Sequence, residues 1–359
     1  MSGTRPKQVN TIPRSRRIGR RALGALALVV ALFTLLVSTG FASATTLETI
    51  RARGKLVCGS TDPLPGFAQQ NKDGRWSGFD VDFCRAVAAA VFGDPDKVEF
   101  RPLSGASRFA LLQTGDVDLL ARDAAWTMRR DSGYGASYVG ASFFDGQGFL
   151  VHQSLNVVSA YELTKVRVCV LDGGDEVLNV RDFFFQNQAP YSEVLYEDRQ
   201  DLAVAYQAGL CDAVSATASW LYAMKRELPD PANNLILPER ISKDAFGPVV
   251  RDGDDQWFNI VKWTLYTLID AEEVGITAAN IGSLAAAKTP AIRRMLGLQG
   301  TFGAAMGLSP DFMKNIIAAV GNYGEIFDRN FGTNTGVPML RGQNALWTRG
   351  GLLFAPPVE

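Results

Sequence analysis

Two α/β lobes, each a parallel-rich sheet flanked by helices and joined by a two-strand hinge, are what the sequence predicts, and three observations carry the prediction. Strand, helix, strand, helix and strand patterns follow one another with short connections between Lys55 and Arg130. The same order recurs between Lys165 and Arg240, and a long helix with an apolar face, DDQWFNIVKWTLYTLIDAEEVG, then brings the chain back. Strands separated by helices pair in parallel, with the helices covering the sheet. Small ligands collect at the carboxyl ends of such strands, so the residues there decide the function.

The N-terminus sets the compartment. Arg14, Arg16, Arg17, Arg20 and Arg21 precede an uncharged run from Ala22 to Phe41, and Ala42-Ser43-Ala44 offers small residues at a cleavage site. Residues 1–44 read as an export signal, placing the mature chain in the periplasm. The run is long enough to span a bilayer, so an uncleaved anchor stays open. Ser15-Arg16-Arg17 resembles the start of a twin-arginine signal, but Gly19 stands where a large apolar residue belongs, which favours the general secretory route. Cleavage removes seven basic residues and no acid, leaving 29 basic against 37 acidic side chains. A mature chain with that excess of acid is not built to hold nucleic acid.

The first lobe, 45–147, opens on the strand KLVCGS and the loop PLPGFAQQNKDGRW, which carries Phe67. The segment GFDVDFCRAVAAAVF carries an amphipathic helix that starts on Asp80, and the strand VEFRPLS follows. Spacing places Arg108 and Leu112 on one helix face, where Ser107-Arg108-Phe109, Gln113 and Asp118 fix how that helix meets its sheet. A third strand ends near Arg122, before a short helix at Thr127. The second lobe, 148–247, repeats the pattern with KVRVCVLD, SEVLYED, CDAVSA and NLILPER as strands. The chain crosses between lobes near Phe144–Phe149 and Ala245–Val249, making a hinge, and the Gly247-Pro248 step closes the lobe. Residues 248–359 return to the first lobe and cover it with helices, where Trp257 and Trp263 are structural.

Four cysteines in an exported chain read as disulfides. Of three connectivities, Cys58 with Cys84 and Cys169 with Cys211 keep each bridge local. A zinc site finds no CxxC spacing, and no cofactor motif is present. The single histidine, His152, excludes Ser-His-Asp, Cys-His and multi-histidine chemistry, and no phosphate loop or GxSxG elbow occurs. A dehydratase or glycan-cleaving enzyme using one carboxylate, Asp175 or Glu176, is the enzymatic alternative. A membrane-tethered ligand sensor is another.

The motifs GFDVDFCRAVAAAVFGDPDKV, FFDGQGF, GDDQWFNIVKWTLYTLIDAEEVG, AVGNYGEIFDRN and RGQNALWTRGGLLFAPP resemble those of the general L-amino acid-binding proteins of bacterial ABC importers, in order over 45–359. The resemblance implies a type II periplasmic binding protein fold that passes a small polar solute to a permease. It also implies the two disulfides named above. An arginine in a pattern like WTxxRD grips the ligand's α-carboxylate in the wider group, which matches Arg130 in Trp126-Thr127-Met128-Arg129-Arg130-Asp131. Asp123-Ala124-Ala125 stands where relatives carry Asn-Thr-Thr. Gly173, Gly174, Asp175 and Glu176 replace a TGTT-like loop, although acids there also suit a helix N-terminus. Thr217 replaces an aspartate that neutralises the ligand's ammonium, and Trp220 narrows the cleft. Phe67, Trp126, Phe143 and Phe144 are candidate apolar walls. With Asp123, Asp175 and Glu176 adding negative charge, the expected solute shifts from free L-amino acids toward amines or amino acid derivatives.

Overall fold

The computed structural model describes residues 3, 44–61, 64–103 and 107–359; the expected export signal lies outside the described residues, apart from residues 3 and 44.

Local chemistry explains where the elements start and stop. Helix α1 (Thr46–Arg53) opens on a capping box, in which the Glu48 N–H donates to the Thr45 hydroxyl (3.2 Å) and the Thr45 N–H to Glu48 (2.9 Å). Its end falls on Gly54 at φ +77°, a left-handed cap that favours glycine. Strand β1 (Leu56–Ser60) is buried throughout and central in its sheet. Helix α2 (Phe79–Phe92), strand β2 (Val98–Pro102), helix α3 (Arg108–Thr114), strand β3 (Leu119–Leu120), helix α4 (Met128–Gly133) and strand β4 (Ala136–Tyr138) complete the first part of lobe 1.

The chain then crosses on β5 (Phe143–Asp145) into β6 (Gln147–His152). Lobe 2 continues through β7 (Val166–Leu171), α5 (Asp175–Gln186), β8 (Tyr191–Tyr196), α6 (Arg199–Gln207), β9 (Ala213–Thr217), α7 (Ala218–Glu227) and β10 (Asn234–Ile236). It returns on β11 (Asp244–Phe246), β12 (Val249–Arg251) and the 19-residue helix α8 (Asp255–Glu273). Helices α9 (Phe312–Val320) and α10 (Tyr323–Phe331) pack their apolar sides onto lobe 1.

Each lobe holds a five-stranded sheet, β2-β1-β3-β12-β4 in lobe 1 and β8-β7-β9-β6-β10 in lobe 2. The strands joined by helices pair in parallel, with Leu56 opposite Val98 and Tyr191 opposite Val166. The strands beside a crossing, β6 and β12, pair antiparallel with both neighbours, so the sheets are mixed. Reversal is unavoidable where a chain leaves one lobe and comes back.

The hinge is a two-stranded antiparallel ladder, with Asp244 opposite Asp145 and Phe246 opposite Phe143. The C-terminal segment fastens it: the Phe144 N–H donates to Asn344 Oδ1 (2.7 Å), and Asn344 Nδ2 donates back to the Phe144 carbonyl (2.8 Å). Tyr323 adds its hydroxyl to the Ser142 carbonyl (2.9 Å). Beneath the ladder, Phe67, Phe79, Phe143, Phe246 and Phe331 form one aromatic cluster.

The cysteines pair as Cys58 with Cys84 and Cys169 with Cys211. The first bridge ties β1 to the helix over it, and the second ties β7 to the residue two before β9. With separations of 26 and 42 residues, each bridge limits the unfolded chain by roughly 3–4 kcal/mol on a chain-entropy reckoning. Trp257 is buried, and its indole N–H donates to the Asp118 carbonyl (2.9 Å). That bond seats α8 on the sheet.

Candidate functional site

The loop between β3 and α4 presents the first wall of the cleft. Asp123 adopts φ +46°, which turns the chain sharply at the end of β3. Its N–H donates to Asp80 Oδ2 (2.9 Å) at the start of α2. Thr127 then caps α4, its hydroxyl accepting from the Arg130 N–H (3.3 Å). The guanidinium of Arg130 is steadied by one bond, Nη1 to the Ala125 carbonyl (3.0 Å), and the Tyr138 hydroxyl donates to the same oxygen (2.8 Å). Trp126 stacks on Tyr138 (5.5 Å) while its N–H donates to Ala245 O (2.7 Å) in the hinge. It remains 41% exposed.

A cleft of about 710 Å³ opens beside that loop. Arg108, Phe109 and Gln113 of α3 line it together with Thr127, Arg129 and Arg130. Gly173, Gly174 and Asp175 face them from lobe 2. Gly173 sits at φ +80° and Gly174 is the N-cap of α5, without a side-chain cap. The loop therefore offers backbone to the cleft, and Asp175 stands exposed on the first turn of α5. Thr217 is not in this cavity. At the end of β9, it borders a small void of about 10 Å³ with Glu176, Arg199 and Trp220.

Two expectations need correction. Phe67 and Phe143 are core residues rather than ligand walls: they are 1% and 0% exposed, with their rings 5.0 Å apart. Arg108 does not fix α3 to its sheet. Leu112 does that, fully buried, while the arginine turns into the cleft.

The charges differ from the sequence reading as well. Burial raises the Asp123 carboxyl above its usual range, against the pull of Arg122, Arg199, Arg108 and Arg130. Asp123 Oδ1 is closed off from solvent, with no hydrogen-bond partner among the described residues. Burial first, then Asp123, pushes Asp80 up to about 8. Asp244 of the hinge is raised by burial, with Asp175 adding to the rise and Ser242 and Arg130 opposing it. Arg108 is brought down to about 10 by burial and then by Arg122 and Arg130. Four guanidinium groups thus act on one carboxyl whose own charge is disfavoured. Of these four, Arg108 and Arg130 line the cleft, with Asp175 also in its lining. Arg108, Arg122 and Arg199 were legible in principle, since each lies at the start of a helix or the end of a strand in the layout that gathers ligands.

A stability effect follows from Asp80. An acid with a folded pKa above its unfolded value binds more protons in the folded state, so its stabilising contribution is fully present below about pH 4 and lost as pH rises to about 8. Replacing Asp80 with Asn should flatten this decline, which is on the order of a few kcal/mol. Urea unfolding of both proteins at pH 5 and pH 8 measures it; equal slopes would show that Asp80 is not the group responsible.

Residues 56–277 match the family described as bacterial extracellular solute-binding proteins, family 3. The chain belongs to that family. Within it, the chain is similar to the general L-amino acid-binding periplasmic protein AapJ of Rhizobium johnstonii, at 46% identity over 90% of this chain and 96% of the relative. It is 47% identical to the glutamate/glutamine/aspartate/asparagine-binding protein BztA of Rhodobacter capsulatus, over 89% of this chain and 95% of the other. A solved ABC transporter periplasmic binding protein from Brucella ovis, with glutathione bound, superposes with a TM-score of 0.83 at 43% identity, covering 88% of this chain and all of that one. All three are binding proteins, the Brucella ovis one of an ABC transporter, and this family 3 protein is likewise a solute-binding protein of an ABC importer, not an enzyme. It has the family's two-lobed fold.

Proposed function

We propose that this protein captures a small amino acid-type solute by its carboxylate at Arg130, closes around it and hands it to a permease. The observation that carries the reading is the Arg130 guanidinium, held among the described residues by one backbone oxygen and lining a cleft whose other lining residues include Arg108 and Arg129. An arginine in that setting takes a carboxylate through two parallel bonds. Asp244 and Asp175, whose charges bear on each other beside Arg130, receive the solute's ammonium in place of the acid that Thr217 replaces. The loop Gly173 to Asp175 meets the solute from lobe 2, and contacts made by both lobes only when it bridges them favour the closed form. The ligands named for AapJ, BztA and the Brucella ovis protein support this choice over an amine.

The same reading assigns 1–44 to a cleaved export signal, 45–147 and 248–359 to lobe 1, and 148–247 to lobe 2. Among the described residues, no helix is long and apolar enough to cross a membrane.

A thermal-shift series on residues 45–359, refolded to strip carried-over ligand, tests the proposal. Acidic amino acids, their amides and glutathione should raise the melting temperature by several degrees, since a ligand that binds only the folded state stabilises it. A rise with polyamines alone would reverse the assignment.

A further inference from the structure

We propose that lobe 1 carries a second ligand site apart from the cleft, a cavity between α8 and the C-terminal segment that takes a small zwitterion with an apolar body, its ammonium at Asp270 and Glu273 and its carboxylate at Arg294. The cavity measures about 260 Å³ and is lined by the end of α8, the short helix Pro290–Met295 and the C-terminal segment. No residue lines both it and the cleft. Three observations carry the assignment.

First, opposite charges share this cavity without meeting. The Asp270 carboxylate and the Arg294 guanidinium both line it, and neither takes part in a hydrogen bond or ion pair among the described residues. Asp270 Oδ2 and Arg294 Nε are also closed off from solvent. Charged groups that lose hydration and gain no partner are costly to keep. Burial, then Glu273, pushes the Asp270 carboxyl up to about 7, and Arg294 does not offset the rise. A ligand with both charges serves both ends, whereas a single ion serves one.

Second, the acids at the end of α8 are not alike. Glu272 is paired, accepting from Arg341 Nη2 (2.9 Å). Glu273 receives only the Trp347 indole N–H (3.2 Å), so two acids without a cation border the cavity. Among the described residues, no group of three or more acids, histidines or cysteines could hold a metal ion. Calcium asks for six to eight oxygens, which leaves an organic ammonium as the cation that fits.

Third, the apolar walls are built rather than loose. Trp347 meets Phe354 edge-on (6.0 Å), and its backbone N–H donates to the Leu353 carbonyl (2.8 Å). Leu346 and Leu353, each 1% exposed, anchor that turn in the core. Val274 and Met295 complete the wall. The volume lies below the roughly 300–1,000 Å³ of drug-sized sites and suits a branched aliphatic body.

Leucine, leucine amide and 4-methylpentanoate are the probes, since the last two each lack one of the charges at nearly constant shape. Residues 45–359 form a compact unit of their own, and in that protein the indole N–H NMR signals separate the two sites: Trp347 reports the cavity and Trp126 the cleft. Leucine should move the Trp347 signal saturably over millimolar concentrations. Asp270→Asn and Arg294→Gln should each weaken that titration roughly tenfold or more, the worth of one charge-assisted hydrogen bond. Both analogues should lose as much on the wild-type protein, which tests the same charges whatever a variant does to folding. A Trp347 signal that leucine leaves unmoved, that the analogues move as readily, or that keeps its midpoint in both folded variants overturns the proposal. Failure of the cleft reading is seen elsewhere, because Arg130→Ala should alter the Trp126 titration and spare that of Trp347.

Discussion

Arg130→Ala lowers solute affinity by about 10²- to 10⁴-fold, measured by calorimetry with glutamate. Two parallel bonds from a guanidinium to a carboxylate contribute about 1.5–3 kcal/mol each, and every 1.4 kcal/mol is about tenfold in affinity. The structure prepares the side chain for that role: Thr127 caps its helix, and the Ala125 carbonyl holds Nη1, with no other bond to the guanidinium among the described residues. The substitution gives up one hydrogen bond to a backbone oxygen, so stability should fall by only about 1 kcal/mol. Binding and folding therefore separate in this variant. Affinity within about threefold of wild type, far below the loss of two charge-assisted bonds, would show that the carboxylate is held elsewhere.

The elements were legible because their punctuation is local. Gly54, Gly93 and Gly115 each end a helix in a left-handed conformation, and Thr45, Asp198 and Asn322 each cap one. The strand runs alternate with these helices in a way that leaves little choice of topology. Both cysteine pairs followed from the same layout.

The site was legible only in part, because it depends on which way side chains turn. Arg108 and Leu112 do share a helix, but periodicity alone could not say that the arginine ends in the cleft while the leucine enters the core. Asp123, Asp175 and Glu176 looked like an excess of acid when counted along the chain. In space four arginines, from α3, the end of β3, α4 and α6, lie near enough to act on the Asp123 charge, a gathering that no segment shows alone. Thr217 matched its position in the sequence pattern, yet it lines a small void with Glu176 and not the main cavity.

Phe67 is the residue on which the two readings diverge most, and Phe67→Ala should cost about 3–5 kcal/mol of stability. Its ring is 1% exposed and meets three others edge-on, Phe143 and Phe331 at 5.0 Å and Phe246 at 5.9 Å. Phe143 and Phe246 face each other across the hinge ladder, and Phe331 ends α10. One ring thus joins the loop after β1 to both crossing strands and to the helices covering lobe 1. Removing it leaves a cavity that this rigid cluster cannot collapse to fill, and the transfer and cavity costs add. The loss should appear as a lower urea midpoint with the slope preserved. Glutamate affinity of the folded fraction should stay within a few-fold, because the ring packs on Phe143, Phe246 and Phe331 and does not line the cleft. A variant that unfolded at the wild-type midpoint but bound a hundredfold more weakly would return Phe67 to the ligand wall.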